Sequence, residues 1–600
     1  MGKICDSTLF SEVCRLGEEL KNERIVEIYH KDGQDLAHPL DHTVLEKLNS
    51  IQQKGLGHGE EELTYEANDE IDELWSLLIE KSIICLRFFD KREPFMKNGK
   101  RQYVLGLDKL KKYHENYTDF EGVLYGSDAY YRDHVFHVVR VWLLGVYLLL
   151  TQNSHLTGGN GRLIDQVHFE GERVYKTRDA EQDDIDKAEA FMHENAEDGG
   201  VDGEEWETER IESERAGECL VVDKNPGLYK VCERADGAAG SKYILASIKT
   251  FSSEINILEK LSMWTIAALC HDLGYPLEKS KNVLEKTEDM MRAFVSNPYV
   301  EKNFKFDGTQ DSNNLDIITF MSKKMNPVEQ KTGENDRMIA QYKASVQDKY
   351  KFKYKLSLED FSHGIVSAII IYKMLIYFIE TDNNPDADYI FANEDARQFY
   401  IRRDILRAIS SHTCENIYHI DVLTLPMILF VCDELQEWGR KSWKSMYQGA
   451  ANKSTELTVK SFHAKKIDYA ETVHMENANA KQLVDNIERT IEKQYILYLT
   501  TFRDGQYTAR RSFEFSKCLH LEINKDYRSI ERIEISFSIN SGSDPSKFEL
   551  DIRNSGDEDS EDLKRTVATL RDDLQKLVNS YQKRNNYGEF RFLIDGKEQK

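Results

Sequence analysis

The sequence predicts a mainly α-helical protein: a helical core interrupted by an acidic insertion, followed by a smaller C-terminal α+β domain. Three observations carry that expectation. Apolar residues recur at helical spacing through much of residues 1–450. A single run, Glu181 to Glu218, holds sixteen acidic residues against three basic ones, a charge of −13. After about residue 455 the pattern changes to alternating, β-rich runs.

Taken in order, residues 1–120 read as an N-terminal, mainly helical region, with Leu74, Leu77, Leu78, Ile83 and Leu86 marking one helix between Ile71 and Phe89. Residues 121–450 read as the core, and 128–152 as its strongly apolar first helix. Residues 153–245 lack sustained periodicity and contain the acidic run and several glycines, so they read as an insertion, partly disordered. Residues 246–295 return to helix, and 296–355 are polar with a helical flavour. Three apolar helical segments follow, around 361–380, 396–411 and 424–447. In 455–600 the runs TELTVKSF, YILYLTTF, SFEFSKCLHLEI, RIEISFSI and FRFLI read as strands. Helices are expected between them near 478–494 and 560–584, the second with Leu563, Val567, Leu570, Leu574 and Leu577 on one face. There is no internal repeat, and neither GxGxxG nor GxxxxGK[ST] occurs.

Bulk properties narrow the function. A formal charge of −25 argues against broad nucleic-acid binding. About half of that charge sits in the acidic run, so the remainder can still hold a basic pocket for a nucleotide. Nine scattered cysteines without a CxxC pair point to a reducing compartment, with neither a disulfide framework nor a zinc-thiolate site. The N-terminus has no basic region followed by an apolar core, as a signal peptide would. Gly2 invites a myristoylation reading, but Asp6 stands where that motif needs Ser or Thr. The longest apolar stretches, Val141–Leu150 and Ile365–Phe378, are short of the roughly 18–20 residues that span a bilayer. The expectation is a cytoplasmic protein without membrane partners.

The residues that carry chemistry lie beside the apolar helices. RDHVFHVVR puts His134 and His137 at the start of one, and ALCHDLG supplies His271 and Asp272 at the end of the next. SHGIVSAIII opens a third with His363; AISSHTCENIYHID closes a fourth with His412, with His419 nearby. LPMILFVCDELQEWGR buries Asp433 on a fifth, where a carboxylate is costly unless paired or metal-bound. An ion pair with Arg440 is the other reading of Asp433, while Glu434, Gln436 and Glu437 read as a solvated face. Several helix ends converging on one point is how helical bundles build metal sites.

The ordered series His, His-Asp, His, His, Asp resembles the HD-domain metal-dependent phosphohydrolase superfamily, over roughly residues 125–450. His137 matches the family's first histidine, His271-Asp272 its HD pair, and Asp433 its closing aspartate. His363 and His412 match the extended, two-metal version. Tyr275 stands where one class carries a catalytic histidine, and HDLGYP lacks the motif of the HD-GYP subclass. The resemblance implies a first divalent ion on His137, His271, Asp272 and Asp433, with Asp272 bridging to a second on His363 and His412. Nitrogen and oxygen ligands without thiolate suit Mn²⁺, Fe, Co²⁺, Ni²⁺ or Zn²⁺, with Mg²⁺ admissible. With one ion only, His363 or His412 becomes a general acid or base. Asp272, His363 and His134 are thus the expected catalytic residues, His134 as proton donor to the leaving group. Arg132, Arg140, Lys279 and Lys281 are candidate phosphate clamps, and Tyr130, Tyr131 and Tyr275 could stack on a base. The implied activity is that of a deoxynucleoside triphosphate triphosphohydrolase, working as a homo-oligomer open to a nucleotide effector. A cyclic nucleotide or oligonucleotide phosphodiesterase, and a nucleotide-sensing regulatory protein, are the other two expectations.

Overall fold

The computed structural model describes residues 3–56, 61–63, 67–90, 104–127, 133–169, 255–292, 308–380 and 390–440, short breaks apart, together with strands between 178 and 245 and between 453 and 598. The described residues are mostly helical. The N-terminal helices are α1 (Asp6–Leu20), α2 (His42–Gly55), α3 (Asn68–Phe88) and α4 (Leu107–Ser127). Then come α5 (Val135–Leu150) and two single turns, α6 (Ser154–Thr157) and α7 (Leu163–Gln166).

Next come β1 (Arg178–Asp179), β2 (Glu209–Glu212), β3 (Glu218–Val222), β4 (Tyr229–Glu233) and β5 (Ser241–Leu245). They form an antiparallel sheet in the order β1-β5-β4-β3-β2. The insertion therefore contains a sheet, which its acidic composition and lack of long periodicity conceal. Residues 153–169, assigned above to the insertion, stay with the core: Leu156, Leu163 and Ile164 are buried in it, and His168 bridges to Thr424. Most of the acidic run lies outside the described residues.

The chain continues through α8 (Ile257–Cys270), α9 (Tyr275–Met291), α10 (Gly308–Met321), the hairpin β6 (Lys323–Thr332) and β7 (Met338–Val346), and α11 (Asp348–Glu359). The hairpin lies where helix was expected. Its charged side chains mask the alternation, and Pro327 is tolerated because β6 is the edge of its three-stranded sheet. Then follow α12 (His363–Met374), α13 (Ile376–Ile379), the third strand β8 (Ile390–Ala392), α14 (Asn393–Ser411) and α15 (Leu425–Leu435). Helix α15 stops at Leu435, well before the expected 447, so Asp433 and Arg440 do not share a helical face.

Two helices buried on every side, α5 and α8, form the centre, which is why both are apolar all round. The Trp142 indole donates to the Thr265 hydroxyl at 2.9 Å, and that of Trp264 donates to the Trp142 carbonyl at 3.1 Å. A Cβ on Gly145 would lie 1.9 Å from the Trp264 ring, so only glycine permits this approach. Helix α3 closes on α8 through Trp75, whose indole donates to the Leu269 carbonyl at 2.9 Å. Asn256 and Glu259 cap α8 reciprocally, and the Glu259 carboxylate also accepts from Arg397 at 2.5 Å. These contacts fix the height at which α8 delivers His271 and Asp272.

The C-terminal region forms a seven-stranded sheet from β9 (Lys453–His463), β10 (Lys466–Glu476), β11 (Glu514–Lys525), β12 (Arg528–Asn540), β13 (Lys547–Asn554), β14 (Phe590–Ile594) and β15 (Lys597–Glu598). Spatial order follows chain order, with parallel pairing at β10–β11 and β13–β14. Parallel neighbours need long crossovers, and the helices expected near 478–494 and 560–584 fall in those two connections, outside the described residues. The run YILYLTTF lies outside them too. Strands β10 and β13 escaped the sequence reading. The sheet is not a free module: Leu457, Val459, Phe462 and Ile467 join the helical core, and Ile4 pairs with Leu457.

Candidate metal centre

Five helix ends meet at the centre. His137 lies in the first turn of α5, His271 and Asp272 just past the end of α8, His363 at the start of α12, and His412 just past the end of α14. Asp433 comes from the last turn of α15. All six residues expected as ligands are therefore brought together.

The two oxygens of Asp272 face different partners. Its Oδ2 lies 3.4 Å from His271 Nε2 and 3.7 Å from His137 Nε2. Its Oδ1 lies 3.3 Å from His363 Nε2 and 3.6 Å from His412 Nε2. Asp433 Oδ1 completes the first half, 2.8 Å from His137 Nε2 and 3.7 Å from His271 Nε2. In the second half, the Nε2 atoms of His363 and His412 are 3.2 Å apart.

Each imidazole is oriented through its other nitrogen. His271 Nδ1 donates to the Ala268 carbonyl at 2.8 Å, and His412 Nδ1 to the Ile409 carbonyl at 2.6 Å, each reaching back three residues. His137 Nδ1 donates to Gln436 Oε1 at 2.5 Å, and His363 Nδ1 to Glu278 Oε2 at 2.7 Å. With Nδ1 donating, Nε2 is the atom that each ring turns toward Asp272 or Asp433. The glycines make the second half possible. A Cβ on Gly274 would meet the His363 carbonyl at 2.4 Å, and one on Gly364 would meet the Thr413 hydroxyl at 2.5 Å. Phe361, at φ +54, turns the chain in the left-handed region immediately before α12.

Two observations show that these groups could hold a divalent ion. His271 Nε2 is buried without a hydrogen-bond partner, an atom aimed at nothing but carboxylate oxygens over 3.3 Å away. Among the described residues, the ligand atoms of His137, His271 and Asp433, and those of His271, Asp272 and His412, cluster closely enough to share an ion. The donors are imidazole nitrogen and carboxylate oxygen, a set for borderline or hard divalent cations.

The charge state follows from burial and neighbours. Burial alone would raise Asp272, yet His271 and the hydrogen bonds of His363 and His412 hold its carboxyl well below the usual range. Burial opposes Asp433 likewise, and His137 and His271 hold it low. His137 is pushed down to about 4 by burial and by the field of Arg440, against the pull of Asp433. Burial works against a charge on His363 too, but Asp272 and Glu278 lift it to about 9. Glu278 is held down to about 2, the His363 hydrogen bond overcoming its burial.

The remaining expected residues divide. Tyr275 stacks on His134 with ring centroids 4.0 Å apart and sits edge-on to His363 at 5.1 Å. Lys279 pairs with Glu278 at 3.2 Å and lies over the Tyr275 ring. These two line the second half. His134 caps α5, its backbone N–H donating to Glu121 at 2.6 Å, and burial pushes its imidazole well below the ordinary range. The depressed value keeps the ring neutral, so it can meet a leaving group through a ring N–H but holds no extra proton to give. Arg140 is buried and donates to the Asp6 carboxylate at 2.7 and 2.9 Å, so its guanidinium serves the fold instead of clamping a phosphate. Arg132, Tyr130, Tyr131 and His419 lie outside the described residues, as does the Lys281 side chain.

Three residues at the centre have roles that the sequence reading does not give them. Glu278 lies one turn into α9, beside the Lys279 that was singled out. Gln436, read as solvated, is wholly buried. Its spacing of three from Asp433 was the available signal, since residues three apart share a helical face. Arg440 follows on the next turn of chain, and its charge acts on His134, His137 and Tyr275. Comparison of the chain with protein-family models, with curated proteins and with solved structures gives no match. Among the described residues no helix is long and apolar enough to cross a membrane.

Proposed function

We propose that the chain is a metal-dependent phosphohydrolase of nucleotides, with the ligand order of the HD-domain enzymes. Its most specific form is a deoxynucleoside triphosphate triphosphohydrolase, in which water cleaves the ester to leave deoxynucleoside and triphosphate. The observation that carries the reading is Asp272, one carboxylate with a pair of imidazoles on each oxygen. That arrangement suits two divalent ions sharing a carboxylate, a mixed set that thiolate-preferring metals would not select. Ions held there supply Lewis acidity toward a phosphoryl oxygen and lower the pKa of water.

The chain's own groups do the rest. Glu278 and Gln436 hold His363 and His137 in the tautomer that leaves Nε2 free. Lys279 and Arg440 supply positive charge against phosphate oxygens. Tyr275 gives an aromatic wall beside Lys279, suited to orienting the substrate. His134, neutral and against Tyr275, is placed to hydrogen-bond the leaving group.

The test is a panel assay on the purified chain with Mn²⁺, offering dNTPs, NTPs and cyclic nucleotides. Triphosphate release from a dNTP is the expected result. The His363–His412 pair, as a second ligand set, favours a phosphodiesterase as runner-up, which would instead give a linear monophosphate from a cyclic substrate. Tight nucleotide binding by the metal-loaded protein with no turnover of any substrate would reject the hydrolase reading and leave a nucleotide sensor.

A further inference from the structure

Gln436 makes two hydrogen bonds that fix its amide. Its Nε2 donates to the Trp438 carbonyl at 2.6 Å, so its Oε1 is the atom that faces His137 Nδ1 at 2.5 Å. An amide oxygen only accepts, so Nδ1 keeps its proton and Nε2, 2.8 Å from Asp433 Oδ1, is the nitrogen left for an ion. The tautomer of His137 is thus set by the stretch Gln436–Gly439, which lies beyond the end of α15.

That stretch is held by the N-terminal segment. The Trp438 indole donates to Asp6 Oδ1 at 2.9 Å. The same buried carboxylate accepts from Arg140 at 2.7 and 2.9 Å and from the Leu63 backbone N–H at 2.8 Å. Arg140 in turn donates to the Gly439 carbonyl at 3.3 Å. Gly439 sits at φ +69, and a Cβ there would lie 2.7 Å from the guanidinium carbon of Arg140, so the turn needs glycine. Arg140 is three residues from His137 on α5, hence on the same face. Asp6 therefore ties together the two segments that define His137: the helix that carries its Cα and the turn that carries its hydrogen-bond acceptor.

We propose that Asp6, through Arg140, Trp438 and Gln436, is a positioning residue for His137 and sets the affinity of the first half of the centre for its divalent ion. The proposal rests on the metal reading above. A role in packing alone would need neither the carboxylate nor the fixed amide. What the ion requires is the lone pair of His137 Nε2 at one place, and each bond in the relay removes a freedom that would move it.

The test is Mn²⁺ titration of the full chain, alongside hydrogen exchange of the peptide covering 436–440. Gln436→Met deletes the acceptor and is expected to weaken Mn²⁺ binding by roughly 10–100-fold. Gln436→Glu keeps an acceptor for Nδ1–H but loses the donor to the Trp438 carbonyl, so it is expected to weaken binding less than Gln436→Met while speeding exchange at 436–440. Asp6→Asn and Trp438→Phe are expected to weaken binding about tenfold and to speed exchange at 436–440. Wild-type affinity in Gln436→Met, or faster exchange without loss of affinity in Asp6→Asn, overturns the proposal and spares the metal reading. Absence of Mn²⁺ uptake by wild type defeats the metal reading itself. Should Asp6→Asn fail to fold, Trp438→Phe decides: it deletes one hydrogen bond and keeps the ring, and unchanged affinity in it overturns the relay.

Discussion

The two halves of the centre share Asp272 and each has one imidazole held by a backbone carbonyl, His271 or His412; they differ in what backs the other. The first half, His137, His271 and Asp433, is held by neutral partners: the Gln436 amide and the Ala268 carbonyl. The second half, His363 and His412, is held by a carboxylate, Glu278, and by backbone brought close at Gly274 and Gly364. The consequence is electrostatic. His137 sits at about 4, whereas His363 is lifted to about 9. Each half pairs a histidine that burial pushes down, His137 or His412, with one that its carboxylate neighbours raise, His271 or His363, so an ion entering either half meets one ready lone pair and displaces one proton.

The largest expected effect comes from the residue they share. Asp272→Ala should remove metal from both halves and take turnover below detection, with helical content by circular dichroism unchanged. Turnover in a folded Asp272→Ala protein would sink the mechanism. Next come variants that strike one half. Asp433→Asn should abolish binding in the first half and His412→Gln in the second, each lowering the Mn²⁺ stoichiometry by one, because losing a ligand exceeds the roughly 10–100-fold cost of losing an outer partner. If both variants lost all metal, the halves would be one site.

Gly274→Ala drives a Cβ into the His363 carbonyl and should weaken the second half while sparing the first. Overpacking of this kind costs typically about 1–3 kcal/mol, which a denaturant midpoint would show beside the metal titration. Gly145→Ala, against Trp264, should carry a similar stability cost with both halves still able to bind, separating fold from site.

The smallest effect concerns pH. In protein stripped of metal, His363 has a folded pKa raised from 6.5 to about 9. Its contribution to stability is fully present below pH 6.5 and is lost as pH rises through 9. Glu278, lowered from 4.5 to about 2, contributes above pH 4.5, and this is lost as pH falls through 2. Their pair is thus worth most between pH 4.5 and 6.5. The Tm difference between wild type and Glu278→Gln, with chelator present, should be largest there and shrink by pH 9. A difference constant from pH 5 to 9 would remove the charged pair from the account.

The candidate ligands were legible because each is anomalous where it stands. An imidazole or carboxylate directly beside an apolar helix needs a reason, and six such residues in order share one. The helices α5, α8, α12, α14 and α15 were legible for the same local cause: helical period survives in any sequence that buries one stripe or all of a helix. What sequence could not weigh was whether a charged or polar residue faces in or out. Arg140 is expected at a phosphate and is spent on Asp6; Gln436 is expected in solvent and is buried against His137. The hairpin β6–β7 and strands β10 and β13 were lost because charged residues blur a period of two more readily than a period of 3.6.

By itself, the sequence marked the candidate ligands, each an imidazole or carboxylate beside an apolar helix. It did so because hydrophobic period and local polarity are properties of neighbours in the chain. Only the tertiary structure decided which residues meet: that Asp272 stands between two pairs of imidazoles, that Glu278 backs one pair, and that Gln436 reaches His137 across 299 residues. Those pairings depend on how helices cross and on where Gly274, Gly364 and Gly439 let backbones approach, and no local spacing encodes that.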